Sequence, residues 1–358
     1  MNIFNNFFND FEHVVFESPQ EREEKKNRMK KLFSRVFLAL FIYVMISQFL
    51  STAIYTVAAF VFSAEDYHTF SNSYYVAVII SSISQYLIAF PVFALMLLRT
   101  DKAKPREKSK LTVKDFLLLF FISEALMFAG NLIGTLLNNV FGTIIGRQPE
   151  NDIANIINDI PMYLIFILMV VIGPIVEELI FRKLMIDRLS IYGDRIAILF
   201  SAVSFGLIHA NLYQFFYAAL LGVLLGYVYT RTGKVKHTMF IHMAVNFFGS
   251  VVVLYAEKAI IEFERLYSLA IQGLPFDVLD LSYNALFSLL YTNTQYGMII
   301  GGAIALWHFI KTNKLRISNE KEIYLPNSVI IREGVKNIGS LLFIISSVIF
   351  IILNLFTV

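Results

Sequence analysis

Residues 161–186 read PMYLIFILMVVIGPIVEELIFRKLMI. The first sixteen positions of this stretch carry no charge, and Glu177, Glu178 and Arg182 then follow within two helical turns. A charged side chain at membrane depth costs a few kcal/mol at least, so such residues are rare there and commonly functional. On a helix, Glu178 and Arg182 lie one turn apart and can pair, whereas Glu177 lies about 100° round the axis and stays available. A paired structural charge cluster at the membrane edge is the alternative interpretation.

The composition of the whole chain is that of a membrane protein. It has 358 residues, of which 57% are hydrophobic and only 16% are charged, and its mean hydropathy is +0.65. Soluble domains rarely carry so much apolar surface. The absence of cysteine excludes disulfides, thiol nucleophiles, thiolate metal sites and S-acyl anchors. We expect the lipid bilayer as the main partner, and we expect no nucleic-acid partner.

Long apolar runs predict an all-α bundle of about eight to nine transmembrane helices. A crossing needs about 20 apolar residues. Nine runs fit or nearly fit, at 36–62, 74–98, 113–145, 161–186, 196–211, 214–230, 237–255, 284–310 and 338–357. The run 196–211 is short and is followed closely by the next run. Irregular backbone at membrane depth is tolerated only where it is buried in protein or lines a wet cavity. An upright helix would place His209 about 21 Å from Arg195, deeper than the polar residues of the other runs, so we expect this fifth run not to cross as an upright helix.

Three separate apolar runs each carry polar side chains that lipid cannot satisfy. The glutamates lie in the fourth run, His209 lies near the end of the fifth, and His242 and Asn246 lie one helical turn apart in the seventh. A lone intramembrane histidine is more often a packing residue than a catalyst. Here the polar groups should face the bundle interior and meet. Together they can activate water and stabilise an oxyanion.

The same residues carry a resemblance to a known family. The motifs Glu177-Glu178-x-x-x-Arg182, Phe205-x-x-x-His209 and His242-x-x-x-Asn246 occur in this order in successive hydrophobic segments. This pattern resembles the CPBP intramembrane proteases, which include type II CAAX prenyl endopeptidases and bacterial Abi or bacteriocin-immunity homologues. The resemblance covers roughly residues 160–250, and the flanking runs match only in character.

The resemblance implies a role for each motif position. Glu177 and His209 would activate the attacking water, and His242 and Asn246 would stabilise the oxyanion of the tetrahedral intermediate. The supporting positions are Glu178, Phe205 and Arg182, the last of which would orient the glutamates. The chain would then be an intramembrane endopeptidase that acts on a membrane-associated peptide or protein substrate, such as a lipidated, CAAX-like one.

A metal requirement stays open at the level of sequence. Glu177, His209 and His242 could hold a divalent metal such as zinc, with Asn246 or water completing the shell. Members of the family are often catalogued as metalloproteases. The chain has no His-Glu-x-x-His helix, and this favours water activation without a metal.

Two other functions remain alternatives. The first is a non-catalytic immunity or regulatory scaffold that keeps the fold, which missing motif residues would favour, although all of them are present here. The second is a proton-coupled transporter with a relay of buried Glu and His. No inverted repeat with paired broken helices supports the transporter.

The basic residues predict the orientation of the chain. Lys and Arg cluster at 21–35 and 99–114, whereas the intervening loop 63–73 has neither. Basic loops stay cytoplasmic, so we expect a cytoplasmic N-terminus in the plasma membrane. Glu177 and His242 each lie six residues from a lysine on the cytoplasmic side. They should therefore sit about 9 Å below that boundary, in a cavity that opens toward the cytoplasmic leaflet.

These expectations divide the chain into four parts. They are a cytoplasmic N-terminal tail at 1–32, N-terminal transmembrane helices at 33–155, a catalytic CPBP core at 156–256, and a C-terminal loop with transmembrane helices at 257–358. Within the spans, Glu124 is predicted to be a polar contact that faces the bundle. The pair Gly222 and Gly226 is predicted to mark close internal helix packing rather than a dimer seam.

Overall fold

The fold is a bundle of helices. A computed structural model describes residues 18–104, 109–146, 160–312, 317 and 320–356, and these residues form no β-strand. The helices, in chain order, are α1 (Pro19–Val61), α2 (Ala64–Ser71), α3 (Tyr74–Leu97), α4 (Val113–Ile145), α5 (Met162–Tyr192), α6 (Asp194–Leu207), α7 (Leu212–Thr232), α8 (Val235–Ile271), α9 (Val278–Lys311), α10 (Asn327–Val335) and α11 (Ile338–Phe356). The all-α class predicted from the sequence is confirmed.

Local capping chemistry sets where the first helix begins. The Ser18 hydroxyl accepts a hydrogen bond from the Glu21 backbone N–H at 3.2 Å, and the Glu21 carboxylate accepts one from the Ser18 N–H at 2.9 Å. Such a reciprocal pair satisfies two of the N–H groups that a helix start leaves unpaired. Proline at the first helical position supports the same start. Helix α1 therefore begins inside the segment 1–32, which we had expected to be a tail.

Seven of the described helices are long and apolar enough to cross a membrane, namely α1, α3, α4, α5, α7, α8 and α11. The chain is an integral membrane protein, with fewer candidate spans than the eight to nine expected. The run 196–211 became α6, whose 14 residues extend about 21 Å and cannot cross a hydrocarbon core of about 30 Å. The run 284–310 lies in the 34-residue α9, whose Asn, Gln, Thr and Tyr side chains lower its hydropathy.

Helices α6 and α7 pack closely because small residues line their contact. A Cβ atom on Gly222 would lie 2.9 Å from the Cα of Ala202, and one on Gly226 would lie 3.1 Å from the side chain of Ile198. The contact is internal, as the sequence predicted. It holds the short α6 against a full transmembrane helix, so the turn at the end of α6 is placed deep in the bundle.

Wide π-helical turns occur in three of the long helices. They span Ile83–Ala89 in α3, Ile165–Ile172 and Leu179–Ile186 in α5, and Phe247–Val252 in α8. Such turns rotate the following side chains and frequently occur at functional sites. Helices α5 and α8 carry the sequence motifs, and the last turn of α8 before its π segment ends at Asn246. The three irregular helices meet around one cavity.

Candidate catalytic cavity

A cavity of about 240 Å³ lies among α3, α5, α7 and α8 and the turn after α6. Its wall includes Glu177, His209, His242 and Asn246, all four residues to which the sequence assigned a catalytic role. The side chain of Glu177 is 25% exposed, which leaves its carboxylate reachable from the cavity. The tertiary fold thus brings together polar groups that come from three separate hydrophobic segments.

Glu178 is fully buried behind the cavity and is held by two charged or ionisable neighbours. Its Oε2 lies 3.0 Å from Nε of Arg182, one turn along α5. The two groups form an ion pair, but the geometry between these two atoms is not that of a hydrogen bond. Its Oε1 lies 3.2 Å from Nδ1 of His242 on α8. Arg182 donates from its guanidinium to the Ser201 hydroxyl on α6 at 3.1 Å. This network joins three helices at the level of the site.

His242 lies between the two glutamates. Its Nδ1 faces Glu178, and its Nε2 lies 3.6 Å from Oε2 of Glu177. A carboxylate accepts hydrogen bonds, so the contact with Glu178 assigns the proton to Nδ1. Nε2 can then donate to a substrate only when the ring carries a second proton. Its role as an oxyanion donor therefore depends on its protonation state.

Phe205 positions both histidines. His209 donates from Nδ1 to the Phe205 carbonyl at 2.7 Å, which leaves its Nε2 as a lone-pair acceptor. The Phe205 ring packs edge-on against His209 and His242, with centroids 5.0 Å and 5.6 Å away. The guanidinium of Arg182 lies 5.0 Å from the centre of the same ring. Phe205 therefore contacts three of the motif side chains, and its supporting role stays a prediction.

Asn246 is tied to α5 by a carbonyl that proline leaves unpaired. In the π turn, the N–H of Gly173 bonds the Leu168 carbonyl, five residues back. The next donor in that pattern would be residue 174, and Pro174 has no N–H. The carbonyl of Met169 instead accepts a hydrogen bond from Nδ2 of Asn246 at 2.8 Å. One of the two amide hydrogens of Asn246 is therefore already used, and one remains for a substrate.

The geometry does not fit the metal site that the sequence left open. No group of three His, Asp or Glu side chains with the geometry to hold a metal ion occurs within the described ranges. Glu177, His209 and His242 line one cavity, but their side chains do not form a group of three that converges on one point. The structure therefore gives no support to a metalloprotease.

The cavity also contains polar residues that the sequence motifs did not indicate. Tyr86 on α3 and Tyr217 and Gln214 on α7 line it. All three lie outside the motifs, in helices that look like ordinary apolar spans. The one available signal was their position in segments next to the motif helices, which does not by itself distinguish them from other aromatic residues.

A second cavity, of about 380 Å³, adjoins the first. Five residues line both, namely Met127, Gln214, Tyr217, Val245 and Gly249. Glu124 and Glu257 line the second cavity. Glu124 faces this cavity inside the bundle, and its Oε1 is buried without a hydrogen-bond partner among the described residues.

Comparisons with known proteins match the region that forms the cavity. A family model described as "Type II CAAX prenyl endopeptidase Rce1-like" matches residues 159–248. This match supports the resemblance to the CPBP family that the motifs indicated. The "Putative membrane peptidase YdiL" of Bacillus subtilis (strain 168) is 33% identical over 172 residues. That similarity covers 45% of this chain and 66% of the relative, just under two thirds of its length. No solved structure matches the chain.

The CPBP match has clear limits within the molecule. It includes α5 to α7 and the start of α8, which carry the motifs. It does not include α3 or α4, although Tyr86 and Met127 on those helices complete the cavity wall. The family therefore accounts for the centre of the site, and the flanking helices supply the rest of its surface.

Proposed function

We propose that this chain is an intramembrane endopeptidase that hydrolyses a peptide bond of a membrane-associated substrate. The observation that carries the proposal is the single cavity lined by Glu177, His209, His242 and Asn246. The match to a type II CAAX prenyl endopeptidase family and the relative named as a membrane peptidase support a membrane protease in general. The residue roles and the substrate are our proposal.

The residues divide into proton acceptors and oxyanion donors. Glu177 takes a proton from water, and Nε2 of His209 is the second acceptor in the same cavity. The hydroxide adds to the carbonyl carbon, and the free amide hydrogen of Asn246 and Nε2–H of protonated His242 bind the resulting oxyanion. When the C–N bond breaks, the proton held by Glu177 passes to the leaving amine. Every atom of water ends in the acid and amine products.

The narrower form of the proposal concerns the substrate. The matched family description names a prenyl endopeptidase, so we propose a lipidated, CAAX-like tail as the substrate class. The apolar surround of the cavity is compatible with a lipid group next to a peptide, since Met127, Met169 and Leu221 line it. Paired synthetic peptides with and without a prenyl group test this part. Equal cleavage of both would remove the lipid requirement and leave the peptidase activity standing.

The main experiment compares membrane proteomes. Membranes from cells that produce wild type are compared with those that produce Glu177→Gln, which keeps the side-chain size and removes the base. We expect one or more uncleaved membrane proteins to accumulate in the variant, because general acid–base catalysis contributes about 10²–10⁴-fold. Glu124→Gln is the matched control, since it makes the same change at the neighbouring cavity.

The same comparison separates the peptidase from a non-catalytic scaffold. A scaffold needs the fold and not the base, so Glu177→Gln would then leave the proteome and the phenotype at wild-type level. That outcome, with the variant present in the membrane at normal amount, would contradict the peptidase.

The route of the substrate depends on orientation, for which we propose a cytoplasmic N-terminus, the cell membrane and a cavity open to the cytoplasm. The chain has no cysteine, so single cysteines give clean labels. Gly249 suits a probe because it lines both cavities and a Cβ there meets no atom within 4 Å. We expect Gly249→Cys and Asp101→Cys to react with an impermeant thiol reagent only from the cytoplasmic side. Glu65→Cys should react only from outside, and labelling of Gly249→Cys from that side would reverse the route.

A further inference from the structure

The proposed cavity has many hydrogen-bond acceptors and few free donors. Glu177 and Nε2 of His209 accept, and the Ser250 hydroxyl is directed to the Asn246 carbonyl at 2.5 Å. Asn246 donates one of its amide hydrogens to the Met169 carbonyl. His242 has a free donor only when doubly protonated. Oxyanion stabilisation in acyl transfer commonly uses two or more donors, and the motif residues supply a second donor only while His242 is doubly protonated.

Tyr86 supplies a hydroxyl at this place. It lies in the π turn of α3 and lines the same cavity as Glu177. Its neighbours Leu87 and Ile88 are exposed on the outer surface of the bundle, whereas the Tyr86 ring packs against the main hydrophobic core. The wide turn therefore directs the Tyr86 side chain inward, while the next two residues of the same turn face outward.

The contact with α5 fixes the position of the Tyr86 hydroxyl along that helix. A Cβ on Gly173 would lie 3.1 Å from Oη of Tyr86, so the hydroxyl rests directly on this glycine. Gly173 is one helical turn before Glu177 and shares its face. Among the described residues, no hydrogen-bond partner occupies the Tyr86 hydroxyl. The hydroxyl is thus placed one turn from the general base and is free to donate into the cavity.

We propose that Tyr86 is a catalytic residue of this peptidase, whose hydroxyl donates a hydrogen bond to the carbonyl oxygen of the scissile peptide and to the oxyanion that it becomes. The inference rests on the proposed function and extends it to a helix outside the matched region 159–248. Asn246 donates from α8 and Tyr86 from α3, and both line the same cavity as Glu177 on α5. No proton is transferred by Tyr86 in this role.

The test measures the steady-state kinetics of purified variants. The probe is an internally quenched peptide that carries the cleavage site found in the proteome comparison. We expect Tyr86→Phe to lower kcat about 10²–10³-fold with KM little changed, because the lost hydrogen bond is strongest in the transition state. Tyr75→Phe is the matched control, since it makes the same change on the exposed face of the same helix. Equal melting temperatures of the two variants exclude a merely structural effect.

A second variant tests the position of the hydroxyl. Gly173→Ala adds a methyl group against Oη of Tyr86 and should lower kcat by displacing it. The same change made in the Tyr86→Phe background should have a smaller effect on kcat, because the hydroxyl is already absent. Independent effects of the two changes would show that this contact does not place the donor.

The possible failures are distinguishable. If wild type cleaves no substrate, that result contradicts the peptidase proposal and the assignment of Tyr86 that rests on it. If wild type cleaves the peptide and Tyr86→Phe keeps wild-type kcat, only the assignment of Tyr86 is overturned. A loss of kcat in Tyr217→Phe with none in Tyr86→Phe would move the donor to α7.

Discussion

Two glutamates in the membrane-spanning helices, Glu178 and Glu124, have opposite surroundings. Glu178 is fully buried, and Arg182 and His242 face its two oxygens. Glu124 lines the second cavity, and its Oε1 is buried without a hydrogen-bond partner in the described part of the chain. A buried charge is tolerated when partners compensate its lost hydration. The comparison shows that a charged residue in an apolar run can form a buried ion pair that connects helices, or can line a cavity. Only the neighbouring residues in the fold distinguish the two cases.

The largest effect on stability should come from removing the buried ion pair between Glu178 and Arg182. Arg182→Met leaves a buried carboxylate without its cation, and we expect the free energy of unfolding to fall by about 3–5 kcal/mol. Reversible denaturation in detergent micelles measures it. Lys183→Met is the matched control, because Lys183 is half exposed and its pair with Asp187 should contribute less than about 1 kcal/mol. Equal losses in the two variants would show that the buried pair contributes no more to stability than the exposed pair.

The double variant Glu178→Gln with Arg182→Met sharpens this result. Removing both charges leaves no uncompensated ion, so its loss of stability should be smaller than the sum of the two single losses. Additive losses would mean that the two side chains act independently.

An intermediate effect is expected at Ser201, which accepts a hydrogen bond from Arg182 and donates one to the Phe181 carbonyl at 2.9 Å. Ser201→Ala removes both, and we expect a loss of about 1–3 kcal/mol in the free energy of unfolding. Ser204→Ala, at another buried position of α6, is the control. A change at Ser201 no larger than that at Ser204 would argue that Arg182 does not depend on the α6 contact.

The smallest effect should come from Glu124→Gln. Its buried Oε1 has no hydrogen bond to lose, and among the described residues the change removes an electrostatic interaction with Tyr291, so we expect the free energy of unfolding to change by less than about 1 kcal/mol. The same substitution at Glu178 should be clearly destabilising, which makes the two variants a direct comparison of surroundings. A loss above about 2 kcal/mol at Glu124 would reveal a partner that the comparison assumes to be absent.

Several features followed from the sequence because they depend on local chemistry or on composition. Apolar runs of about 20 residues predicted the helical bundle, and the motif spacing placed Glu178 and Arg182 on one helical face. The length of the fifth run indicated that it would not cross upright, and α6 is indeed only 14 residues long. The polar residues of three apolar runs were expected to meet, since lipid cannot satisfy them.

Other features were decided by the tertiary structure alone. The packing of α8 against α5 decides two contacts. It brings His242 to Glu178 as well as to Glu177, and it brings Asn246 to the carbonyl of Met169. Tyr86 could not be singled out from the sequence, because nothing in an aromatic residue of an apolar helix shows which way a π turn will direct it. Sequence fixes which groups must avoid lipid, since burial depends on residue type. The packing of the helices fixes which group each one meets, since contacts depend on helix rotation and height.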